Sequence, residues 1–322
     1  SKTSLFADKS WKWSNHPWQL PADAIDFLQK LGNAGVSFFR ALERLYLKSA
    51  KGERILRNKD LKTPWVAEYF DAGKPQWLVN HSRSSVMLGV LPPVLRPDLL
   101  PARDGFALTE WDSVPGGIGL TDHLGRLYLG EDAPQMAKAF GQSLLEQAGE
   151  LGVDAQFAIL VSEESATYRP EMEWLGEELR QDGLKIDVAA PGEISFLNQC
   201  AYLNDQKIDV IYRFWELFDP EITNMPEFAK CVEAGNTFVT PSMRPFLEES
   251  IRRDGPIQRL FRETLEDTEI AGTPIKKGEW VCVFFGAGNH DPEMFENPHE
   301  FILHRPNVGK NLTFSHGIHH CI

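Results

Sequence analysis

The segment Phe314-Ser-His-Gly-Ile-His-His-Cys-Ile322 places one cysteine, three histidines and a glycine within nine residues. A cysteine thiolate is a strong ligand for iron or zinc. Zinc would draw on His316, His319, His320 and Cys321, with His316 and His320 on one helical face, but the chain has no second ligand cluster at finger spacing. Iron needs only the single thiolate. The first reading of Cys321 is therefore a metal ligand.

A second group of chemical residues lies far upstream. Glu110-Trp-Asp112 is followed by Gly116, Gly117 and Gly119. Alternate residues of a strand share a face, so this spacing delivers Glu110 and Asp112 on one side of a strand end. Two such carboxylates suit Mg²⁺ beside nucleotide phosphates. The competing reading is a solvated strand end with a flexible glycine turn.

These residues need elements to hold them. Ala22 to Lys48 carries apolar residues at helical spacing and predicts one long helix, with Gly32 and Gly35 as points where it could break. Trp11, Trp13 and Trp18 before it read as an arm that packs through its tryptophans. Residues 75–130 read as strands and loops, and Ala133 to Leu151 as another helix. Four strand-like runs follow, at Gln156–Val161, Lys185–Val188, Asp209–Arg213 and Thr237–Thr240, with helical pieces between them. Strands alternating with helices predict parallel βαβ units, a doubly wound α/β region that binds ligands at the carboxyl ends of its strands. Beyond Glu248 a short helix precedes a β meander over Leu265–Val283, with turns at Gly272 and Gly278. The fold class is thus α/β, an α+β front with doubly wound units. We divide it into residues 1–150, 151–247 and 248–322.

The bulk numbers narrow the partners. A formal net charge of −13 argues against nucleic acid or an anionic membrane as the main partner. No run approaches the roughly 20 apolar residues that span a bilayer, and the start lacks the apolar core of a secretory signal. Four cysteines without close pairing read as reduced thiols in a cytoplasmic protein.

Residues 248–322 resemble the C-terminal part of bacterial cytochrome P450 heme-thiolate monooxygenases. The resemblance rests on Glu249-Ser-Ile-Arg252 (an ExxR pair), Asp254–Arg262, Thr264–Gly272 with Ile275–Gly278, Gly288–Pro292, Phe295–Pro298, and the FxxGxHxC pattern from Phe314 to Cys321. It implies that Cys321 ligates heme iron and pushes electron density onto it, and that Gly317 lets the backbone pass close to the porphyrin. It further implies that Arg262 and His319 pair with heme propionates, while Glu249, Arg252 and Arg305 form a charged network holding the cysteine loop. A small-molecule substrate and a redox partner follow from the same resemblance.

The front resembles circularly permuted ATP-grasp ligase-like proteins of the glutathionylspermidine-synthase type. Arg96-Pro-Asp98, Glu110-Trp-Asp112 with Pro115-Gly-Gly117, the strand before Ser162-Glu-Glu164, and Ile208–Arg213 carry it. That resemblance implies ATP as a cofactor, Mg²⁺ held by Glu110 and Asp112, and Arg96 and Arg213 facing phosphate or a carboxylate substrate. Asp112 stands where asparagine is usual. Together the two resemblances predict a composite chain joined near residue 247. Its heme-type segment would lack the flanking helices, its ligase-type front would lack the second lobe, and neither site would be complete.

Overall fold

The structure, a computed structural model, describes residues 14–16, 19–20, 24–56, 59–102, 105–217, 219, 222–248, 260–283, 288–289 and 291–297. Side chains are described for all of these except 100–102, 105, 107, 109–110, 131, 248 and 260–263. The tryptophan arm falls on Trp11, Trp13 and Trp18, outside the described residues.

The long helix forms as its spacing dictates: α1 runs Ala24–Ala50 without a break at Gly32 or Gly35. Phe39, Leu42 and Tyr46 recur at helical intervals and bury against Val66, Ala67 and Phe70 of α2 (Pro64–Asp71). A short α3 (Gln76–Ser82) follows. Strands β1 (Arg96–Ala102) and β2 (Gly105–Asp112) pair antiparallel as a hairpin, with a register shift between Asp98 and Leu99. Gly35 lets α1 approach this hairpin, since a Cβ there would lie 2.7 Å from the Trp111 ring.

The next stretch corrects the expectation of strands and loops over 75–130. Besides α3, Ile118–Leu129 is a helix, α4. Its glycines are not a loose turn: Gly117 supplies the positive φ of +89° that starts α4. Helix α5 (Met136–Ala148) then buries Phe140 and Leu144, each contributing about 2 kcal/mol by removal from water.

The four predicted strand runs form one sheet. In chain order β3 (Gln156–Val161), helix α6 (Arg169–Gln181) and β4 (Lys185–Ala189) make the first unit. Then β8 (Val210–Phe214), α7 (Met225–Glu233) and β9 (Phe238–Thr240) make the second. The sheet order is β4-β3-β8-β9, all parallel. Phe157, Ile159 and Val161 face α5 and α6, whereas Ala158 and Leu160 face α7. The sheet is therefore covered on both sides, and every residue of β3 is buried.

Between β4 and β8 the expected helix is replaced by an antiparallel sheet of β5 (Ser195–Leu197), β6 (Cys200–Leu203) and β7 (Gln206–Ile208). Asn198-Gln199 and Asn204-Asp205 all adopt positive φ, the geometry of two-residue hairpin turns. Ala201, Leu203 and Ile208 join the same core as α7.

Helix α8 (Pro245–Glu248) places Phe246 and Leu247 in the α1–α2 core. Beyond it, β11 (Thr268–Ile270) pairs with β12 (Thr273–Ile275) within the stretch expected to form strands, and β13 (Trp280–Val283) pairs with β10 (Leu260–Glu263), which lies before that stretch. Gly272 and Gly278 both have positive φ at its turns.

Candidate functional site

The thiolate motif itself, with Phe314, Gly317, His319 and Cys321, lies outside the described residues, as do Glu249, Arg252 and Arg305. Arg262 is described by its backbone, on β10 opposite Val281 of β13. The meander that carries it is locally well tied. Thr264 accepts the Gly278 N–H through its carbonyl at 2.8 Å and donates its hydroxyl to the Glu279 carbonyl at 2.9 Å. Asp267 pairs with Lys276 at 2.7 Å and accepts the Lys277 N–H at 2.9 Å, which holds its carboxyl below the usual range. Apolar side chains of this stretch remain in water: Leu265 is 83% exposed and Trp280 68%.

The upstream constellation is assembled around Arg96. Its guanidinium meets Asp112 at 3.1 Å and donates to Asp98 at 3.0 Å and to the Gly116 carbonyl at 3.1 Å. Asp112 in turn accepts the Val114 N–H at 2.8 Å. Burial raises the Asp112 carboxyl above its ordinary value, against the opposing pull of Arg96 and that N–H. Burial would lower the Arg96 guanidinium, but Asp112 and Asp98 outweigh it and the net direction is upward.

Tyr168 closes one side of this cluster. A Cβ at Gly116 would lie 2.4 Å from its ring, so only glycine lets the loop pass. The N-terminus of α4, which would attract a phosphate, is filled by the protein itself: Glu171 accepts the N–H groups of Gly119 at 3.0 Å and Leu120 at 3.4 Å. The Glu110 side chain lies outside the described residues, although its backbone stands opposite Asp98 in the hairpin. The proposed Mg²⁺ pair is therefore represented by Asp112 alone, with its oxygens engaged by Arg96 and Val114. Among the described residues no three His, Cys, Asp or Glu gather as a metal site.

Arg213 lies apart from this cluster. It is 0% exposed, and its guanidinium donates to the carbonyls of Pro241 at 2.7 Å, Trp215 at 2.7 Å and Ser242 at 3.1 Å. That placement suits clamping the loop after β9 onto the end of β8. The sequence showed an arginine ending a strand, but gave no sign that backbone carbonyls would surround it.

The carboxyl edge of the parallel sheet opens into a cavity of about 390 Å³. Ser162 and Glu163 follow β3, Pro191 and Gly192 follow β4, and Asp219 and Asn224 follow β8. Asn224 ties the rim by donating to the Pro191 carbonyl at 2.8 Å. Parallel sheets bind ligands at this edge. The individual residues come from three separate loops, which is why sequence reasoning named the edge and not its lining.

The cytochrome P450 family model matches residues 239–322. Among curated relatives, a putative cytochrome P450 140 of Mycobacterium bovis is 45% identical over 76 residues, 24% of this chain and 17% of that protein. Cytochrome P450(MEG) of Priestia megaterium is 41% identical over 76 residues, 24% of this chain and 18% of that protein. Pulcherriminic acid synthase of Bacillus subtilis is 34% identical over 110 residues, 31% of this chain and 26% of that protein. Among solved structures, cytochrome P450-153 from Novosphingobium aromaticivorans is 40% identical over 23% of this chain and 19% of that one, at a TM-score of 0.22. The chain thus spans less than a fifth of the length of the first two curated relatives. Its C-terminal region matches the cytochrome P450 family, and residues 1–238 lie outside that match. Among the described residues no helix is long and apolar enough to cross a membrane.

Proposed function

We propose that residues 248–322 form a heme-thiolate ligand segment of monooxygenase lineage, with Cys321 as the iron ligand. The observation that carries this reading is the family match over residues 239–322, which includes Cys321 together with Phe314, Gly317 and His319. Heme held by a thiolate supplies oxygen activation. The chain's own residues would hold and orient it: Cys321 as ligand, Arg262 and His319 toward the propionates, and Glu249, Arg252 and Arg305 bracing the cysteine loop. A small-molecule substrate, a redox partner and a cytoplasmic location belong to the same proposal.

The test is an absorbance titration of the purified chain with hemin, followed by reduction under carbon monoxide. We expect the Soret band of a thiolate–carbonyl complex, and its loss in Cys321→Ala. A band indifferent to Cys321, or no specific band, overturns the reading.

A second reading concerns the front: a relative of ATP- and Mg²⁺-dependent carboxylate–amine ligases. Its support is the parallel sheet with a polar cavity at its carboxyl edge, and the Arg96–Asp112 cluster packed near Tyr168 of the segment after β3. Mg²⁺ would have to compete with Arg96 for Asp112. Equilibrium dialysis with ATP distinguishes the readings, since Mg²⁺-dependent binding lost in Glu110→Ala supports the ligase relative. Neither hemin nor ATP binding would leave an inactive composite chain.

A further inference from the structure

The chain is acidic overall, yet between residues 40 and 62 it carries eight Lys and Arg against three Asp and Glu. Three of the eight stand on α1 and five follow it. Arg40, Arg44 and Lys48 stand four residues apart, on successive turns of one helix face. Like charges at that spacing repel one another. Among the described residues neither Arg40 nor Arg44 has a carboxylate partner: the nearby Glu43 is taken by the buried Arg244 and by the Gly89 N–H. Lys48 is oriented, donating to the carbonyls of Arg54 at 2.9 Å and Ile55 at 3.3 Å.

The same three cations border a concavity of about 560 Å³, within the range of small-molecule sites. Its other walls are apolar: Ala41 and Leu45 from α1, and Ile55 and Leu56 from the segment that folds back along it. Leu56 is 44% exposed, so the groove keeps apolar surface in water next to a row of cations that no carboxylate among the described residues pairs. One ligand chemistry answers both features, an anionic head with an apolar tail.

We propose that this groove binds an organic phosphate monoester, with the phosphate between Arg40 and Arg44 and the organic part against Leu45, Ile55 and Leu56. Arginine's planar donor fork suits phosphate oxygens, and two forks one turn apart meet a dianion from two sides. The groove uses no residue of the thiolate motif or of the Arg96 cluster, and the proposal stands whether or not heme binds.

The test is isothermal titration of the full chain with hexyl phosphate. Saturable binding is expected, weakened at least tenfold in the double variant Arg40→Gln/Arg44→Gln and retained in Arg40→Lys/Arg44→Lys. Both arginines are exposed, so the variants should keep their helical circular dichroism, which is measured alongside. Inorganic phosphate should bind more weakly than hexyl phosphate, and Leu56→Asn should remove that difference. Sedimentation with vesicles containing phosphatidic acid identifies the source. Arginine-dependent sedimentation assigns the phosphate to a lipid headgroup, and binding of hexyl phosphate without sedimentation assigns it to a soluble ester. No saturable heat with hexyl phosphate, or equal binding by the glutamine variant, overturns the proposal.

Discussion

At the scale of single residues, Asp112 and Arg213 carry the clearest consequences. Burial lifts the folded pKa of Asp112 above its unfolded value. The folded state therefore binds that proton more tightly, and the stability Asp112 contributes is complete below the ordinary carboxylate range and is lost as pH rises through its raised value. Asp112→Asn keeps an acceptor for the Val114 N–H and removes the titration. We expect urea midpoints of the variant to gain on the parent as pH is raised from 3 to 7; a difference constant across that range would refute the burial argument. Arg213 answers to a different measurement. Arg213→Met strands three buried carbonyls, which should cost about 3 kcal/mol or more in chemical denaturation. A loss below about 1 kcal/mol would mean those carbonyls find other donors, contrary to the clamp described above.

At the scale of elements, the approach of α1 to the hairpin rests on one missing side chain. Gly35→Ala gains about 1 kcal/mol of helix propensity but drives a Cβ into the Trp111 ring, a clash worth about 1–3 kcal/mol. We expect net destabilisation, recovered when Trp111→Leu is added. Gly32→Ala, which meets no atom within 4 Å, should stabilise. Thermal unfolding of the three variants checks the ordering. The same elements show what the sequence could reveal. The apolar periodicity of α1 and the continuous runs Gln156–Val161 and Asp209–Arg213 were legible because burial on one stripe or on both faces leaves a plain pattern. Helix α4 was hidden because its start is made by Gly117 and by Glu171, a residue from another helix. The β5–β7 meander was hidden because its turns are Asn-Gln and Asn-Asp, weaker signals than Asn-Gly. In the candidate sites, the sequence marked Arg96 and Asp112 but gave no view of their ion pair. The lining of the carboxyl-edge cavity, drawn from three loops, could be located only by topology.

At the scale of the whole molecule, the described part of the C-terminal region leaves large apolar groups in water. Leu265, Ile270 and Trp280 are each more than half exposed. Exposed apolar surface of this kind attracts hydrophobic dyes and other chains. Trp280→Ser should lower the fluorescence of a bound naphthalene sulfonate dye and reduce light scattering at high concentration. Unchanged dye binding would place the sticky surface elsewhere.

The family match begins at residue 239, inside β9, the edge strand of the parallel sheet. Pro241 and Ser242, which accept from Arg213, lie within it. So does Arg244, which ties Glu43 of α1 to the carbonyls of Met87 and Val90, and so do Phe246 and Leu247 of the α1–α2 core. The family match and the packing therefore divide this chain at different points. A protease cut just before residue 239 would respect the family border. It would also strip the sheet of its edge, take the Pro241 and Ser242 carbonyls from Arg213, part Arg244 from Glu43, Met87 and Val90, and open the helical core, so the front keeps its packing only if it retains the first nine residues of the region that matches the cytochrome P450 family.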